Sequence, residues 1–228
     1  MRITFRRFPG QAVAYSVIER DDGVVYHMRE LTRSGNALPH DLRHLVVERE
    51  LGIADGVWGG IAAGAVYQGM EHVRGHQPPP AAGRPDELHR AQRDRVLRAE
   101  LLASLVEAVA VLPEPTAPRI DRLARQKLSV AGAAGLGADP APVVALPSAA
   151  ALAAAARALQ VEAARWARLR PGQELGYEWR DLAPAPPPAA GPPGTSGPGT
   201  VPWPRPVPRP REPGDQRHPR HPDGRRPG

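Results

Sequence analysis

Hydrophobic and polar positions change period several times along this chain, and each change marks an element. Residues 2–8 and 12–20 alternate as strands should. Asp22-Gly23 supplies a two-residue hairpin turn, and residues 24–30 form the returning strand. That turn sets Val17 opposite Met28, Ile18 opposite His27 and Glu19 opposite Tyr26. Val13, Tyr15, Val17, Tyr26 and Met28 then share the core face, with His27 on the other side.

The pattern turns helical at residues 38–70. Leu38, Leu42, Leu45 and Val46 form one apolar stripe at roughly 100° per residue. Pro39 suits a first helical turn, with Ser34 or Asn36 as cap. A break at residues 52–56 leads into a second helix running from Trp58 to about Met70. Gly59, Gly60 and Gly64 each cost that helix ~1 kcal/mol, which makes sense where another backbone packs closely.

Three more helices follow. Residues 86–112 are charged in front and apolar behind, with Leu97, Leu101, Leu105, Val109 and Leu112 at helical spacing. Residues 117–127 form a short basic helix with Ile120 and Leu123 inward. Ser148 caps a last, alanine-rich helix that ends near Arg168, its inner side carrying Leu152, Ala156, Leu159, Ala163 and Trp166. Leu175, Tyr177 and Trp179 then alternate as a strand expected to join the N-terminal hairpin, since two strands alone are marginal.

Composition adds a boundary. From residue 183 onward 16 of 46 residues are proline, and such a segment cannot offset its ordering entropy. The reading is one α+β domain over residues 1–182, a small antiparallel sheet with helices on one face, followed by a disordered Pro/Arg-rich tail at 183–228. The net charge is +6, and the tail supplies four of those charges through seven arginines against three acids. Lys127 is the only lysine among 30 basic residues, as a GC-rich gene would produce. The basic residues form no unbroken stripe with interleaved aromatics, so no specific nucleic-acid binding is expected. The longest apolar run, residues 57–70, is 14 residues long, too short for a membrane span. The start, MRITFRRFPGQ, lacks the apolar run of a signal peptide. With no cysteine, the expectation is a soluble, cytoplasmic protein.

The chemistry concentrates on the first helix. His40, Asp41, His44 and Glu48 share one arc, and His40 and His44 stand one turn apart, so both imidazoles can face one point. Glu48 lies a further turn along the same side. Two nitrogens and an oxygen could thus meet a divalent cation: zinc, iron or manganese. His72 and His76 repeat the spacing, and a helical hairpin would bring His72 beside His40. Each residue also has a plainer role open to it, Asp41 at the helix dipole and Glu48 in a surface pair with Arg43 or Arg49. AGAAGLG at residues 131–137 does not match a phosphate loop, and Ser16, Ser34 and Ser104 sit in no nucleophile context.

Three resemblances attach to these residues. HDLRH is similar to the His-Asp-x-x-His half of the metal motif in one class of ubiquinone-biosynthesis proteins. The glutamate that completes that motif falls here on Gly56, so the second half is missing. HDLRH also resembles the His-Glu-x-x-His of zinc proteases with Asp41 in the glutamate's place. The shorter carboxylate reaches a bound water poorly, and protease activity is not implied. The run LPHDLRHLVVERELGIADGVWG resembles one in small bacterial proteins of unknown activity from high-GC genomes, a likeness covering about the first 70 residues.

Two functional readings remain. The first is a non-catalytic interaction or structural protein that needs no cofactor and meets a protein partner through its tail. It is favoured because no complete catalytic constellation appears. The alternative is a divalent-metal-binding protein, at its most specific a metal-dependent hydrolase, using His40, His44 and Glu48 with Asp41 as a further ligand or support and His72 and His76 as additional candidates.

Overall fold

The structure is a computed structural model and describes residues 1–8, 14–30, 37–76, 86–133 and 146–180; the side chains of 86–92 and 130–133 lie outside that description. The expected tail at 183–228, and the AGAAGLG segment from residue 134 on, fall outside the described residues.

Five strands form one antiparallel sheet: β1 (Arg2–Arg6), β2 (Tyr15–Glu19), β3 (Val25–Arg29), β4 (Met70–Arg74) and β5 (Glu174–Glu178), in the order β4-β3-β2-β1-β5. As expected, the last strand pairs with the N-terminal hairpin, Ile3 opposite Tyr177 and Phe5 opposite Leu175. The helices are α1 (His40–Leu51), α2 (Val57–Ala62), α3 (Asp86–Ala110), α4 (Ala117–Ala133) and α5 (Ala149–Arg168). Their apolar sides join Ile3, Phe5, Ile18, Tyr26, Met28 and Tyr177 in one core. The ring of Phe5 meets Trp58 and Tyr177 edge to face, with centroids 5.9 and 6.0 Å apart, so the sheet and α2 close on the same point. No described helix is long and apolar enough to cross a membrane.

The hairpin register differs from the expected one by a single residue. Val17 pairs with His27 and Ile18 with Tyr26. The loop has three residues, not two: Gly23 donates to the Arg20 carbonyl at 3.0 Å, and Arg20 donates to the Val24 carbonyl at 2.9 Å. Gly23 takes the left-handed conformation, φ 81°, the form of a turn closed by a glycine bulge. A one-residue slip moves a whole side-chain set across the sheet. Ile18 therefore joins Tyr26 and Met28 in the core, while Val17 sits with Val25 and Val73 on the helix-free face. His27 keeps to the face away from the core, as expected.

The second helix is also shorter than its composition suggests. It ends at Ala62, and residues 70–74 are a strand on the edge of the sheet. With Glu71, His72 and Arg74 exposed and Met70 and Val73 half-buried, β4 carries no strong apolar alternation that could have marked it. Helix α2 begins tightly, because a β-carbon on Gly59 would lie 1.7 Å from the Ala54 carbonyl oxygen. That is the close backbone approach the glycines implied. The later helices keep their expected places, with α4 extending to Ala133 and Ser148 capping α5 through the Ala151 N–H at 3.2 Å.

Candidate metal centre

Helix α1 is held at both ends by groups outside it. Pro39 is its N-cap residue rather than part of its first turn, and no side-chain cap acts there. Ser34 and Asn36, expected as caps, lie outside the described residues. Instead the buried Glu30, at the end of β3, accepts the His40 N–H and, at 3.0 Å, the Ala14 N–H. An anion at a helix N-terminus satisfies a free donor and complements the dipole. At the other end Gly52 turns left-handed, φ 67°, and Ile53 donates to the Glu48 carbonyl at 2.8 Å.

Between these anchors the two histidines share one side of the helix, ring centroids 4.7 Å apart. Helix α3 packs against α1 and adds Glu100. One carboxylate oxygen of Glu100 lies 3.2 Å from His44 Nε2 and 3.5 Å from His40 Nε2. The opposite nitrogens also face carboxylates, His40 Nδ1 at 3.4 Å from Asp41 and His44 Nδ1 at 3.7 Å from Glu48. The His44 side chain is only 2% exposed, yet neither of its ring nitrogens makes a hydrogen bond of proper geometry. What faces the ring is the pair of carboxylates, Glu100 at 3.2 Å and Glu48 at 3.7 Å.

The electrostatics follow from this crowding. Asp41 and Glu100 raise the His40 pKa to about 9. Burial works against the charge on His44, but Glu100 and Glu48 outweigh it, and its pKa is also raised. The two imidazoles hold the Glu100 carboxyl far below the usual carboxylate range. His40, His44 and Glu100 each offer a ligand atom, all within 4.8 Å of one another, a cluster capable in principle of holding a divalent ion.

Glu48 is buried and otherwise engaged. Its two carboxylate oxygens accept the N–H groups of Val57 at 2.8 Å and Trp58 at 2.9 Å, capping α2. The Trp58 indole donates back to the Asp41 carbonyl at 3.0 Å. Glu48 therefore ties α1 to α2 while one of its oxygens faces His44, and it makes no exposed pair with Arg43 or Arg49. Arg43 reaches Glu107 and Arg49 reaches Glu50 instead.

His72 and His76 do not join the cluster. His72 lies on β4 rather than on a helix, its ring edge-on to Tyr26 and its Nε2 3.0 Å from the Gly75 carbonyl. His76 is exposed beyond that strand. The helical hairpin that would have carried them to His40 is absent because the chain after Ala62 turns into the sheet. The pattern of α3, a charged front and an apolar back, does not single out Glu100. A signal existed: Glu100 and Glu107 are the only carboxylates between Leu97 and Leu112 and stand on one face, two turns apart.

Compared with known proteins, this chain matches no family model, no curated protein and no solved structure.

Proposed function

We propose that this protein binds a divalent metal ion through the Nε2 atoms of His40 and His44 and the carboxylate of Glu100. The observation that carries the reading is the convergence of the His40 and His44 Nε2 atoms on one Glu100 oxygen, at 3.5 and 3.2 Å, with the His44 ring out of reach of water. Asp41 then acts from behind on the His40 ring through Nδ1 at 3.4 Å, the usual arrangement for histidines that ligate metal, while Glu48 faces His44 Nδ1 from 3.7 Å. Two imidazoles and a carboxylate suit zinc first, with iron and manganese as alternatives. Three protein ligands leave a fourth position for water, the layout of catalytic rather than closed structural zinc sites. A metal-dependent hydrolase is the enzyme that layout supports.

The test is direct. The full chain is produced in medium containing zinc, iron and manganese, and its metal content is measured by elemental analysis. One equivalent of metal is expected, lost in His40→Ala/His44→Ala and in Glu100→Ala while circular dichroism shows the fold retained. A folded parent without metal, or variants that keep their metal, overturns the proposal.

A further inference from the structure

Helices α1, α3 and α5 leave a cavity of about 500 Å³ where they meet, and His40 forms part of its wall. Its size falls in the range of small-molecule sites. Leu38, Ala110, Leu159 and Ala163 supply apolar lining. The other polar side chains in the wall are engaged: Arg43 pairs with Glu107 at 2.5 Å, and Gln160 donates to the Ala110 backbone carbonyl at 2.6 Å. Of the three proposed ligands His40 alone lines the cavity, and the same ring faces Glu100 through Nε2. Val111, also in the wall, is 81% exposed, so the apolar lining continues to the surface.

We infer that this cavity receives the substrate or ligand of the centre, a small molecule with an oxygen-donor head for the metal and an apolar body. The inference rests on the metal reading above and adds the ligand's class to it. The metal end selects the head, because a hard oxygen donor can fill the position the protein leaves open. The cavity selects the body, because every methylene it shelters leaves water.

The experiment uses the zinc-loaded full chain and two chelating probes, acetohydroxamic acid and octanohydroxamic acid, titrated calorimetrically. Zinc content is measured separately. Octanohydroxamic acid should bind at least about tenfold more tightly, its chain lying in the cavity. Ala163→Trp should erase that preference while zinc content stays unchanged; Ala110→Phe serves the same purpose if the first variant misfolds. Equal binding of the two probes to the zinc-loaded parent overturns this inference alone. So does a preference that survives in a folded, cavity-filled variant. A chain that takes up no zinc overturns the metal reading and this inference together.

Discussion

The carboxylate of Glu48 occupies the space that any side chain on residue 56 would need: a β-carbon on Gly56 would lie 2.4 Å from the Glu48 carboxyl carbon. Glu48 can cap α2 only because residue 56 has no side chain. Gly56→Ala should therefore expel the carboxylate, leave the Val57 and Trp58 N–H groups without acceptor and cost roughly 2–4 kcal/mol. Urea denaturation measures this, and an alanine variant as stable as the parent would contradict the arrangement. Glu48→Ala should cost a similar amount, while Glu48→Gln should lose about 1 kcal/mol because one amide oxygen still accepts.

Glu48 also faces His44, so it should matter to metal as well as to folding. If it orients that ring, Glu48→Gln and Asp41→Asn should each weaken zinc binding roughly 10–100-fold without abolishing it. Competition against a chromogenic chelator gives the affinity. Removing Glu100 should cost more than either, since its oxygen is a proposed ligand atom.

Without metal, the same cluster makes stability depend on pH. His40, raised from 6.5 to about 9, and His44, also raised, bind protons more tightly folded than unfolded. The His40 contribution is fully present below about pH 6.5 and is lost as pH rises through about 9, and the His44 contribution is lost in the same direction. Glu100, lowered from 4.5, contributes above that value and loses its contribution as pH falls below it. Melting temperature of the metal-free protein should therefore decline between about pH 6.5 and 9, and Glu100→Gln should flatten the decline. Zinc affinity should rise over the same interval, because the metal must displace those protons. A melting temperature that climbs from pH 6.5 to 9 would contradict the ion network.

A third buried acid, after Glu30 and Glu48, ties a helix to the sheet. Glu162, buried on α5, accepts from the Tyr177 hydroxyl at 2.6 Å and from Arg165 at 2.8 Å, joining the last helix to the last strand. Burial, then the Glu162 charge, pushes the Tyr177 hydroxyl well above its ordinary value. Tyr177→Phe should destabilise the fold by about 1–3 kcal/mol, because it leaves a buried carboxylate oxygen unpaired. Tyr177→Phe combined with Glu162→Gln should cost less than the sum of the two changes, as a double-mutant cycle would show.

The hairpin loop offers the simplest check of register. Gly23 has φ 81° with open space around it, so Gly23→Ala should meet backbone strain alone and cost about 1 kcal/mol. A loop that took the two-residue form would place different pairs opposite one another, and cross-strand contacts in a nuclear Overhauser spectrum distinguish Val17–His27 from Val17–Met28.

Much of the fold was legible in local patterns. Three strands, the first helix, the alanine-rich helix with its Ser148 cap and the closing strand at Tyr177 stand close to where alternation, periodicity and capping residues put them. The differences fall where the local pattern fits two readings. Asp22-Gly23 fits a two-residue turn as well as a three-residue one, and only packing of Ile18 under the helices separates them. Residues 63–74 are rich in small and polar groups that fit helix or edge strand, and pairing with β3 decided for the strand.

The sequence by itself determined that two imidazoles share one side of a helix, because helical period alone fixes the direction of residues four apart. It could not determine what they would meet. Glu100 is brought to them by the packing of α3 against α1, a contact between segments more than fifty residues apart, and chain periodicity carries no information across such a distance. The same packing buried His44 and left the cavity beside His40. The helix supplied the donors, and tertiary structure made them a site.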